Sequence, residues 1–75
     1  MKLSLLWFAA LRDQRGVSHE TFALTVGDTV RDLRHAVGLP AAFGVAVAVN
    51  EVIVDDGHVL REGDEVAFLP PLGGG

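Results

Sequence analysis

One short helix with clear start and stop signals constrains this chain more than any other feature. Thr29 and Asp32 stand three residues apart, a capping-box-like start in which Asp replaces the usual Glu or Gln. An apolar stripe follows at helical spacing: Val30, Leu33 and Val37. Gly38 supplies a left-handed stop, so the predicted helix runs from 29 to 37. Because a helix this short is not stable alone, it must lie on a sheet.

Alternating or β-branched apolar runs predict the strands of that sheet. They cover 3–8, 19–24, 45–49, 52–54 and 65–69, with turn signals at 12–16, 50–51, 55–57 and 61–64. The order of strands around one helix is typical of an α+β domain with a single mixed sheet. The first and last strands are apolar on both faces, so one set of side chains is expected in the core and the other in an exposed patch.

Composition narrows the classes of function. The 75 residues make one small domain, and a net charge of −4 with six Lys and Arg argues against nucleic-acid binding. The chain has no cysteine, which excludes a disulfide or a nucleophilic thiol. The apolar run 3–11 resembles neither a signal peptide nor a membrane span, so a cytoplasmic protein with no membrane partner is expected. Lys2 is the single lysine, which a coding bias towards arginine would explain.

The last residues suggest a probe held out by a rigid body. Gly73, Gly74 and Gly75 follow two prolines at the end of the last predicted strand. We therefore expect a domain over 1–70 and a flexible tail over 71–75, whose five extended residues would reach about 16–18 Å. A tail without Cβ atoms suits a narrow channel and ends in a free carboxylate. Taken alone, it is equally compatible with a disordered terminus of no function.

Several local motifs together resemble one family. They are Phe8-Ala9 followed by Leu11-Arg12, Thr29-Val30 with Leu33, Ala48-Val49-Asn50, and the run LREGDEVAFLPP over 60–71. These motifs resemble the small subunits of molybdopterin synthase, which are ubiquitin-like sulfur carriers, and the resemblance covers essentially the whole chain. It implies a β-grasp fold in the α+β class, with a mixed sheet of about five strands and one main helix across one face.

The resemblance also implies the chemistry and the partners. The carboxylate of Gly75 would be adenylated with ATP by an activating enzyme and then converted to a thiocarboxylate by a sulfurtransferase. The large synthase subunit would take up the tail in a heterotetramer of two small and two large subunits, and would supply the acid–base groups. The chain would then be a sulfur-donating subunit and not an enzyme by itself, with no resident cofactor or metal.

The docking surface and the choice among related functions stay open at this point. We expect a partner-binding patch beside the tail, formed by Phe68 or Leu69 with Pro70, Pro71 and Leu72. A carrier for thiamine, tRNA thiolation or cysteine synthesis would share the tail chemistry. A modifier attached to lysines and a non-covalent interaction module are also compatible with such a chain. The acidic residues Glu62, Asp64 and Glu65 are more typical of a solvated turn than of a cation site.

Overall fold

A five-stranded mixed sheet organises the part of the chain that the computed structural model describes, residues 1–39 and 44–71. The elements in chain order are β1 (Lys2–Trp7), α1 (Ala9–Arg15), β2 (His19–Ala23), α2 (Val30–Val37), β3 (Ala46–Val49), β4 (Val52–Val54) and β5 (Glu65–Leu69). The strand order in the sheet is β2-β1-β5-β3-β4, with β1 and β5 parallel and the other pairs antiparallel. The last strand therefore lies at the centre of the sheet. The predicted α+β class is confirmed.

Helix α2 begins and ends where the sequence predicts. Thr29 caps the helix: its backbone N–H donates to Asp32 Oδ2 at 2.7 Å, and its hydroxyl accepts from the backbone N–H of Asp32. Gly38 ends the helix with φ of 78°, a left-handed conformation that costs glycine nothing sterically. Val30 and Leu33 are fully buried and Val37 is half-buried against the core, so the inward stripe is confirmed. Each fully buried apolar side chain contributes roughly 1.5–3 kcal/mol.

One layer of side chains joins α2 to the sheet. It takes alternate residues from the three central strands, because successive side chains of a strand point to opposite faces. These residues are Leu3, Leu5 and Trp7 of β1, Val66 and Phe68 of β5, and Val47 and Val49 of β3. The opposite sheet face therefore carries the other set of alternating side chains.

Helix α1 differs from the prediction, which placed a turn at 12–16. Its residues are good helix formers, but only Leu11 among them is buried, so no periodic stripe marks it. Its N-cap residue, Phe8, makes no side-chain capping hydrogen bond. Gly16, read from sequence as part of a turn, is the helix stop, with φ of 83° and its N–H donating to the carbonyl of Arg12 at 2.9 Å. Its position therefore depends on tertiary contacts, among them the burial of Leu11.

Candidate functional site

The turn before β5 fixes where the last strand begins. The backbone N–H of Gly63 donates to the carbonyl of Lys2 at 2.8 Å, which ties the turn to β1. Asp64 accepts from the backbone N–H of Arg61 and from Asn50 Nδ2, both at 2.9 Å. Asn50 Oδ1 in turn accepts from the N–H of Glu65 at 3.0 Å. The carboxylate of Asp64 thus serves local hydrogen bonding at the start of β5.

The far end of β5 is held by an aromatic stack. Phe68 lies against Trp7 with ring centroids 4.4 Å apart and planes inclined by 9°, and it is fully buried. Its assignment to the exposed partner patch is therefore wrong, because its side chain points to the α2 face of the sheet. Leu69 and Pro70 are half-buried and Pro71 is exposed. These three residues, the tail base, stay candidates for partner contact.

An ion pair on β2 and α1 covers the other side of Trp7. The guanidinium of Arg15 lies 5.0 Å from the centroid of the indole ring and donates to both carboxylate oxygens of Glu20, at 2.7 and 3.0 Å. Trp7 Nε1 also donates to Glu20 at 2.9 Å. The hydrogen bonds from Arg15, and to a smaller extent from Trp7, lower the pKa of Glu20 despite its partial burial. Charge and stacking together hold Trp7 against Phe68.

Neutralising Glu20 tests this ion pair. The folded-state pKa is depressed, so the pair stabilises the fold above the unfolded Glu pKa of about 4.3 and loses its contribution as pH falls through the folded pKa. We expect Glu20→Gln to lower the free energy of unfolding by about 1 kcal/mol at neutral pH, with the difference shrinking in acid. Urea unfolding across a pH series measures it. The control is Asp13→Asn, whose carboxylate is 80% exposed and lies 4.0 Å from Arg12 Nε, a surface contact that contributes little. A deficit of Glu20→Gln that persists unchanged in strong acid would contradict the mechanism.

The sheet face opposite α2 carries an apolar strip. The register aligns four side chains across four strands, which we call the open strip: Leu6, Ala67, Ala48 and Ile53. Leu6 and Ala67 are half-buried, Ala48 is buried at 6% exposure, and Ile53 is 61% exposed. Leu69 lies in the next row, opposite Ala46, and so joins the strip to the tail base. In the described residues no helix covers this face.

Sequence reasoning found only part of this surface. The sequence predicts an exposed patch shared by the first and last strands, and Leu6 with Ala67 and, in the next row, Leu69 forms it. Ala48 and Ile53 are not part of that prediction, because the strand 45–49 is predicted as one β-branched run and its side chains are not assigned to the two faces of the sheet. The alternation of Val47 and Val49 with Ala46 and Ala48 was the available signal.

The tail base leaves the sheet in a fixed position. Proline cannot donate to a strand ladder, so pairing of β5 stops at Leu69, opposite Ala46. A Cβ added to Gly44 would meet Pro71 at 3.9 Å, so the backbone at 44 passes close to the proline ring. Pro70 and Pro71 also line a surface groove with Ala10, Leu11 and Gln14 of α1. The predicted tail residues Leu72, Gly73, Gly74 and Gly75 lie outside the described residues.

The described part of the chain offers neither a metal site nor a helical membrane span. Within 1–39 and 44–71, no group of three or more His, Asp or Glu side chains is placed to hold a metal ion. The helices in the same ranges are all too short or too polar to cross a membrane.

Comparisons with known proteins give the family. Residues 5–75 match the ThiS family. The molybdopterin synthase sulfur carrier subunit of Chlamydomonas reinhardtii is 37% identical over the full length of both chains. The molybdopterin synthase sulfur carrier subunit of Escherichia coli (strain K12) is 35% identical, covering 97% of this chain and 99% of that protein.

Solved structures agree on the fold. A putative molybdopterin converting factor subunit 1 from Pyrococcus furiosus matches with a TM-score of 0.83 and 29% identity, over 96% of this chain and 99% of that one. Small archaeal modifier protein 1 of Haloferax volcanii matches with a TM-score of 0.82 and 24% identity, over 95% and 98%. A complex of subunits 1 and 2 of molybdopterin-converting factor from Helicobacter pylori gives 0.70 and 23%, over all of both chains. The latter two show the fold alone.

These comparisons confirm three predictions made from the sequence: the β-grasp fold, the function of a sulfur carrier, and a role as a subunit that is not an enzyme by itself. A domain with the open strip on one sheet face, a last strand whose end is held by stacking and a C-terminal glycine run fits that role. From its sequence over residues 5–75 and its sheet topology, the chain belongs to the ThiS family of sulfur carriers.

Proposed function

We propose that this chain is the small subunit of a molybdopterin synthase and donates sulfur from a thiocarboxylate at Gly75. The observation that carries the proposal is the full-length match to a relative with that function, whose alignment runs through the glycine tail. The fold supports it, because β5 is held at both ends and places Pro71 at one end of the sheet.

The C-terminal carboxylate has to be activated before it can accept sulfur. A carboxylate is a poor electrophile, so an activating enzyme first converts it to an acyl-adenylate with ATP. A sulfurtransferase then supplies the sulfur, and the product –COS⁻ is a soft nucleophile carried on a glycine run. No cofactor resides in this chain in our proposal. A reducing, cytoplasmic compartment suits the group, because an exposed sulfur nucleophile is readily oxidised.

The open strip and the tail base together form the proposed docking surface for the large subunit. The strip is apolar, exposed at Ile53 and continuous with Leu69, as expected for an interface core. Exposed polar side chains border it, including His19 and Thr21 on β2 and Glu65 on β5. In the Helicobacter pylori structure, a chain of this fold is solved with its second subunit. We propose the same pairing here, in a heterotetramer of two small and two large subunits.

Intact mass spectrometry tests the chemical part of the proposal. The chain is co-expressed with the activating enzyme and the sulfurtransferase, and then purified without strong oxidants. We expect a mass gain equal to the replacement of one oxygen by sulfur, located on the C-terminal peptide. Omission of the sulfurtransferase is the control. A chain that stays a carboxylate with both enzymes present would contradict the proposal.

A charge placed in the open strip tests the docking part. Ala67→Glu puts a carboxylate between Leu6 and Ala48, where an apolar interface would have to desolvate it. We expect the affinity for the large subunit to fall by roughly 10- to 100-fold. Thr21→Glu is the matched control, since it adds the same charge on the same sheet face at the β2 edge, outside the strip. Titration calorimetry measures both, and equal affinities of the two variants would remove the strip from the interface.

A carrier for another sulfur pathway is the second candidate. The ThiS match favours sulfur carriers in general, and the tail chemistry would be the same. Reconstitution separates the two: the thiocarboxylated chain with the large synthase subunit should form molybdopterin from the pterin precursor. A chain that gains sulfur but gives no molybdopterin would belong to another pathway.

A further inference from the structure

The primary amines of this chain all lie at one end of the sheet. Lys2 is the single lysine, and the other five basic residues are arginines. The carbonyl of Lys2 accepts from Gly63, at the start of β5, and the amino group of Met1 donates to the carbonyl of Leu24 at 2.8 Å. Since β1 and β5 are parallel, the tail base lies at the opposite end.

The separation exceeds the reach of the tail. Ser4 lies opposite Glu65, so Lys2 is two residues before that level and Pro71 is six residues beyond it. Eight strand residues at about 3.3 Å each give a separation of roughly 26 Å. Four residues beyond Pro71 extend at most about 14 Å, and the five single bonds of a lysine side chain add about 6 Å. The tail and the lysine side chain together reach about 20 Å, which is less than the separation of roughly 26 Å.

The residues that line the groove beside the tail base carry no primary amine. Helix α1 contributes Ala10, Leu11 and Gln14 to the groove beside Pro70 and Pro71. Its basic side chains are Arg12 and Arg15, and a guanidinium stays protonated, so it has no free lone pair for attack. An amide such as Gln14 is likewise not a nucleophile at neutral pH.

We propose that this amine-free zone around the tail base determines which nucleophile the activated carboxyl group meets. The inference rests on the proposed function, in which Gly75 becomes an acyl-adenylate. An amine within reach would attack the carbonyl carbon with its lone pair, form a C–N bond, expel AMP with the C–O bonding electrons and release a proton to solvent. The product would be an amide loop that can no longer accept sulfur. The fold prevents this loss by distance.

A lysine added beside the tail base tests the inference. Gln14→Lys places an amine in the groove beside Pro71, on an exposed helical position that tolerates lysine. Tethering gives that amine an effective concentration in the millimolar range. With ATP and the adenylating enzyme but no sulfur donor, we expect loss of one water from the intact mass and an amide crosslink between Lys at 14 and Gly75. The wild type, treated in the same way, should form no amide loop. Ala10→Lys, on the same groove, provides a second variant.

Arg61→Lys is the matched control. It also adds one exposed lysine, but in the turn next to Gly63, at the end of the sheet that holds Lys2. We expect no amide loop in this variant. Hydroxylamine, added in parallel, traps the acyl-adenylate as a hydroxamate and reports activation in every variant. Absence of hydroxamate in the wild type would overturn the proposed function and the inference with it. Hydroxamate without a loop in both groove variants, or a loop to Lys2 or Met1 in the wild type, would overturn the inference alone.

Discussion

Deletion of Gly75 will abolish sulfur transfer and leave the domain folded. Glycine has no side chain to bury, and the core cluster of the described residues is built from residues up to Phe68. The deletion shortens the tail by about 3.3–3.6 Å. A displacement of the reacting atom of even ~1 Å can cost on the order of 10²-fold in rate, so a full residue should remove activity. Gly74→Val should have a similar effect, because a β-branched side chain widens and stiffens a tail that enters a narrow site.

Molybdopterin formation by the reconstituted synthase measures this effect, and circular dichroism reports folding. Gly73→Ala is the control, since it changes the same glycine run at a position that the family resemblance leaves variable. We expect it to keep most of the activity. Full activity of the Gly75 deletion would exclude the terminal thiocarboxylate and favour a non-covalent interaction module.

Phe68→Ala will strongly lower the free energy of unfolding. The side chain is fully buried and stacks on Trp7, so truncation removes both the buried area and the aromatic contact. Truncations of this kind cost about 3–5 kcal/mol. Domains are stable by only about 5–15 kcal/mol, and one of this size lies near the lower limit. We therefore expect a variant that is only marginally folded or unfolded.

Urea and thermal unfolding followed by circular dichroism test this prediction. Val26→Ala is the control, because Val26 is 81% exposed and its truncation should change stability by less than about 0.5 kcal/mol. Similar stabilities of the two variants would place Phe68 outside the core and return it to the docking patch.

Comparison of α2 with α1 shows which parts of this fold the sequence predicts. Helix α2 combines a capping box at Thr29, a repeated stripe and a glycine stop, so several local signals agree. Helix α1 has one buried residue, Leu11, and no side-chain cap, and its glycine stop also fits a turn. Its position depends on packing against the sheet, which a local pattern does not contain.

The sequence predicts the candidate site only in part, as it does the helices. The sulfur-carrier function came from a family resemblance that the comparisons confirm, and the last strand was placed correctly. The face assignment of Phe68 was wrong because alternation separates two faces but does not say which one is covered. That choice depends on the stack with Trp7 and on the register with β3, both of which join residues far apart in the chain.

The central place of β5 in the sheet has a mechanical consequence. A partner that grips the tail and then withdraws pulls along the axis of this strand. The ladders to β1 on one side and β3 on the other lie across that direction, so their hydrogen bonds share the load in shear and do not open one after another. A tail on an edge strand would be held by only one ladder against the same pull. In the proposed function, the two ladders would keep the domain folded while its tail is withdrawn from the partner.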